Sequence, residues 1–76
     1  MTTEQELGLH IKHLRVEQGW TLEQLSTKAH ISIATLCNIE KGKVPHVSWR
    51  TLYKIAKALK IEPQDLLRFK EDWIGE

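Results

Sequence analysis

The chain holds one cysteine, two prolines and no long apolar run, and each scarcity removes a class of protein. One thiol cannot close an internal disulfide, so nothing staples the fold, and a lone cysteine suits a reducing compartment. No stretch is apolar over the roughly 20 residues that a membrane helix needs. Met1 is not followed by the basic, apolar and small-residue order of a leader, so a cytoplasmic protein off the membrane is expected. Sustained alternation of apolar and polar residues is also missing, which argues against strands. There is no glycine-rich phosphate loop, serine elbow or pair of inward carboxylates, so neither an enzyme nor a small-molecule substrate is expected. His10, His13, His30 and His46 lack the spacing of a zinc set, and no metal or cofactor is expected.

With 76 residues there is room for one domain, taken as 1–76, and so short a chain buries only about 60% of its unfolded surface. The formal net charge is +1, but the charges are segregated. Residues 1–27 carry two cations against four carboxylates, residues 28–60 carry seven against one, and residues 61–76 carry two against five. The basic excess in the middle suits an anionic partner, although Lys54, Lys57 and Lys60 also fit a solvated lysine face.

What is present is a series of helix signals. Thr3 with Glu6 reads as a capping box for a first helix to about Gln18, with Leu7, His10, Ile11 and Leu14 at helical spacing. Gly19 closes it, and Trp20 is expected as a lid over the core. Thr21 with Gln24 opens a second helix with Leu22, Leu25 and Ala29 on one face. His30, Ile31 and Ser32 form a tight break, and Ser32 caps a third helix with Leu36 and Ile39 inward and Gly42 at its end. Pro45 bars helix across the loop 43–47, after which Ser48 caps a fourth helix whose buried stripe should be Trp49, Leu52, Ile55, Ala56 and Leu59. Glu62 and Pro63 start a short fifth helix carrying Leu66 and Leu67 inward, followed by a short tail, 68–76. Five short helices around one core make an all-α bundle.

Residues 21–42 thus read as a helix-turn-helix. The run from Leu22 to Lys43, with Leu25, the small Ser26, Ala29, Ile31, Leu36, Ile39 and the ending Glu40-Lys41-Gly42, resembles the DNA-binding domain of the phage repressor and Cro-like (XRE-type) regulators. LYKIAKAL at 52–59 and Asp65-Leu66-Leu67 extend the match, which covers Leu7 to Leu67. The resemblance implies the compact five-helix bundle of the lambda-repressor-like type. It also implies a sequence-specific transcriptional regulator, most simply a repressor, that reads a palindromic operator in double-stranded DNA through the third helix.

By that resemblance Ile33, Ala34, Thr35 and Asn38 are the base-reading positions. An asparagine amide can pair bidentately with adenine, whereas Ile33 and Ala34 can only pack on a thymine methyl. Two apolar reading residues shift specificity toward DNA shape and paired half-sites, and Ile33 equally suits a protein contact. Lys28, Ser32, Lys41, Lys43 and Arg50 are the candidate phosphate contacts. His30 stands where the family has glycine, in a turn that calls for a positive φ that histidine tolerates at a cost. Cys37 either edges the DNA contact or packs as a small apolar group; a redox switch is the sharper reading.

A single small module needs a second copy for a palindrome, so a homodimer is expected, with Val44, Val47, Leu67, Phe69, Trp73 and Ile74 as interface candidates. Phe69 and Trp73 could instead fold back on their own core. The rival function is a protein-interaction module or antitoxin on the same fold, with a regulatory protein partner and little sequence-specific DNA binding.

Overall fold

Caps at one end and left-handed residues at the other divide the chain into five helices. The computed structural model describes residues 3–66. They form α1 (Thr3–Glu17), α2 (Leu22–Ala29), α3 (Ile33–Glu40), α4 (Trp49–Leu59) and α5 (Pro63–Leu66). The side chain of Thr3, expected to cap α1 with Glu6, and residues 67–76 lie outside what is described. Leu67, Phe69, Trp73 and Ile74, four of the expected interface residues, are therefore outside it too.

The Thr21 hydroxyl accepts the Gln24 amide at 3.1 Å and the Gln24 side chain accepts the Thr21 amide at 2.8 Å, so the expected capping box opens α2. Ser32 and Ser48 accept the amides of Thr35 and Thr51 and open α3 and α4. Each opening satisfies a donor that the helix itself leaves unpaired.

The other ends share one device. Gly19, His30, Gly42 and Lys60 take φ between 57° and 77°, and the next residue returns a hydrogen bond into the helix: Trp20 to Arg15, Ile31 to Ser26, Lys43 to Asn38 and Ile61 to Ala56. This paired closure turns the chain sharply back and, after α1, α2 and α4, lays Trp20, Ile31 and Ile61 against the core. The positive φ expected at His30 is present, at 57°.

Each helix contributes one large, fully buried side chain to the centre: Ile11, Leu25, Leu36, Ile55 and Leu66. Burying each contributes about 1.5–3 kcal/mol, so the hydrophobic driving force is shared across all five helices. Leu7, Ala29, Ile39, Leu52, Ala56 and Leu59 complete the buried set, while Leu14, Leu22, Val44 and Val47 pack half-buried around it. Trp49 departs from the expected stripe and is 61% exposed. It is the first residue of α4, one turn before Leu52, and Val44 and Val47 of the preceding loop already pack on the core near that end.

The crossing of α1 and α3 brings Gly8 and Arg15, which carry no motif in the sequence, against Glu40. A Cβ on Gly8 would stand 2.6 Å from the Glu40 carbonyl oxygen, so the two backbones meet where only glycine fits. Beside it, Arg15 Nε and Nη2 donate to the Glu40 carboxylate at 2.8 and 3.1 Å, with both side chains largely buried. The third arm, Nη1, donates to the Trp20 carbonyl at 2.7 Å. One guanidinium thereby ties the end of α1, the loop before α2 and the end of α3 together, in the planar bidentate geometry that arginine offers and lysine does not.

Candidate nucleic-acid interface

The outward face of α3 follows from what its inward face buries. With Leu36 and Ile39 in the core and Glu40 held by Arg15, helical periodicity turns Ile33, Ala34, Thr35 and Asn38 to solvent, and all four are exposed. These four expected reading residues share one surface, and Ile33 is 49% exposed. Cys37, at the edge of that face, is half-buried.

The Ser32 hydroxyl has its proton and one acceptor position engaged within the fold. It accepts the Thr35 amide at 3.0 Å and donates to the Thr35 hydroxyl at 2.7 Å. The donors left open at this end of α3 are the backbone amides of Ile33 and Ala34, aligned along the helix axis toward an incoming anion. The Thr35 hydroxyl, accepting from Ser32, keeps its own proton for an outside acceptor.

The expected phosphate-contacting cations form two groups. Lys41 and Lys43 follow the last turn of α3 and are exposed. Lys28 and Arg50 lie in a groove of about 710 Å³ between α2 and α4. There Lys28 Nζ sits 4.8 Å from the centre of the Trp20 ring, which holds the ammonium by cation–π attraction. Lys54, Lys57 and Lys60 share that groove with His30 and Tyr53. The three lysines are therefore not simply a solvated face; they line a concave surface that also contains two aromatic rings. Among the described residues no carboxylate lines it.

Val44 and Val47, expected at a dimer interface, are half-buried against their own core, and the exposed large apolar side chains on this side are Trp49 and Tyr53, one turn apart on α4. Among the described residues no group of histidine, cysteine or carboxylate side chains is placed to hold a metal ion. Among them, too, no helix is long and apolar enough to cross a membrane.

The Arg15–Glu40 pair had a signal in the sequence. Arg15 follows Leu7 and Ile11 at steps of four, and Glu40 follows Leu36 at the same step, so each charge occupies a core-facing position. Charges on two buried stripes call for each other.

A capped helix held across a second helix, with its polar and small residues outward and accompanied by two groups of cations, defines a DNA-binding helix-turn-helix module. Residues 10–72 match the model of the Cro/C1-type HTH DNA-binding domain, and the chain belongs to that family. It is 36% identical over 72 residues to the HTH-type transcriptional repressor RghR of Bacillus subtilis, covering 95% of this chain but only 53% of the repressor. In structure it resembles the restriction-modification controller protein C.AhdI of Aeromonas hydrophila, with a TM-score of 0.78 and 29% identity over 82% of this chain and 92% of the controller. The SinR protein in complex with SinI protein gives a TM-score of 0.80 at 30% identity, over 87% of this chain and 64% of that one. The family is one of DNA-binding regulators, not enzymes.

Proposed function

We propose that the chain acts as a sequence-specific transcriptional repressor that binds a palindromic operator as a homodimer, with α3 in the major groove. The observation that carries this reading is the exposed row of Ile33, Ala34, Thr35 and Asn38 on a helix whose other side is locked by Leu36, Ile39 and the Arg15–Glu40 pair. Asn38 reads adenine through its amide, and Ile33 and Ala34 pack on thymine methyls. Lys28, Arg50, Lys41 and Lys43 hold phosphates, joined by the open amides at the start of α3 in place of the Ser32 hydroxyl itself.

Selection from a random-sequence duplex pool near physiological salt tests this directly. An enriched palindrome, with half-site centres about one helical turn apart, is the expected result. Affinity for it should fall with salt at a log–log slope near −0.9 for each phosphate neutralised, as counterions are released. No enriched sequence would refute the reading.

A second reading is favoured by the 49% exposure of Ile33 and by the solved complex of SinR with SinI: the domain also contacts a regulatory protein. A protein interface at Ile33 would respond weakly to salt and would be lost in Ile33→Asp, which separates the two.

A further inference from the structure

The groove between α2 and α4 is more than a set of phosphate contacts. Its walls are the Trp20 and Tyr53 rings, and its rim carries Lys28, Arg50, Lys54 and Lys57, with Lys60 at the end of α4. None of these five cations makes an ion pair among the described residues. Duplex phosphates would use the cations but leave the exposed Tyr53 ring without a partner, whereas Trp20 already meets the core and the Lys28 ammonium. An occupant that fits the cations and the Tyr53 ring brings carboxylates and an aromatic side chain together.

The chain contains one such stretch. Residues 68–76 hold three carboxylates against two cations, and Glu71, Asp72 and Glu76 surround Trp73 and Ile74. It is also tethered to α4, which forms one side of the groove. Lys60, on the groove, is six residues before Leu66, where α5 ends. Trp73 lies seven residues beyond Leu66, a reach of up to about 23 Å, whereas α4 with 11 residues is about 16 Å long.

We propose that this chain's own segment 68–76 docks in the groove, placing Trp73 against the exposed Tyr53 ring and its carboxylates against the rim lysines. A short tether holds such a segment at an effective concentration in the millimolar range, well above that of a second copy of the protein. The docked segment withholds Lys28 and Arg50 from DNA phosphates and so acts as an internal competitor; this consequence rests on the DNA-binding reading, whereas the docking does not.

The test uses the full chain. At low salt, nuclear Overhauser contacts should join the Trp73 indole to the Tyr53 ring and the Ala58 methyl, with intensities independent of protein concentration. Lys54→Glu/Lys57→Glu should abolish them while the Leu36 and Ile55 methyl shifts stay in place. Contacts that appear only as concentration rises would overturn the proposal in favour of a second copy, and their absence at all concentrations would overturn it outright. Trp73→Gly, which leaves every charge intact, should bind random duplex several-fold more tightly than the parent. Unchanged affinity would refute the competition. If neither protein binds any duplex the regulator reading fails, and the Overhauser contacts still decide the docking.

Discussion

Where α1 crosses α3, charge is paired and buried, backbones meet at Gly8, and one guanidinium binds three segments; where α2 lies beside α4, five cations and two rings line an open groove. The first seam has little freedom and fixes the direction in which α3 points. The second keeps its charge unneutralised among the described residues and so is suited to meeting an anion. The difference teaches that this small domain separates positioning from encounter. A buried ion pair contributes little net stability, but it has one low-energy geometry, and α3 inherits that geometry.

The comparison breaks most readily at the paired charges. Glu40→Ala leaves the Arg15 guanidinium buried without its carboxylate and should cost about 3–5 kcal/mol in urea denaturation, a large share of the stability of so short a chain. A loss below about 1 kcal/mol would mean that the seam is not a fixed element. Gly8→Ala forces α1 and α3 apart at the Glu40 carbonyl and should cost about 1–3 kcal/mol, with weaker operator binding even where the protein is still folded. His30→Gly relieves a left-handed histidine at φ 57° at the edge of the groove and should stabilise by about 0.5–1 kcal/mol, seen as a higher Tm, because His30 is exposed and its ring is not part of the buried core. Lys57→Ala, on the groove, should change stability by less than about 0.5 kcal/mol. Its effect belongs to the salt dependence of binding, which should become shallower.

Local signals carried most of the fold. The box at Thr21 and Gln24, the caps Ser32 and Ser48, the closing glycines and the strained turn at His30 all act within a few residues, so they can be read without knowing what packs on what. Trp49 shows the limit of periodicity, since a residue at the right spacing is buried only where the neighbouring chain covers it, and at the start of α4 it is not covered. The Gly8 approach and the Arg15–Glu40 pair depend on segments 25 or more residues apart, and helix-face patterning alone does not specify that meeting. The exposed row on α3 was legible because it is what remains once Leu36 and Ile39 turn inward. The groove was not, because its cations come from α2 and from α4, and only the packing of those two helices brings them to one surface.

The central claim is that the row on α3 reads bases while the flanking cations only hold the backbone. The direct measurement is the affinity of the parent, Asn38→Ala and Lys43→Ala for an operator recovered by selection and for its single-base variants, across a range of salt. Asn38→Ala should lose about 1–3 kcal/mol on the operator and relax preference at one adenine position. Lys43→Ala should weaken binding to all sequences alike and reduce the salt slope by about 1. If Asn38→Ala keeps the parent's preference at every position, α3 does not read bases through Asn38 and the account is contradicted.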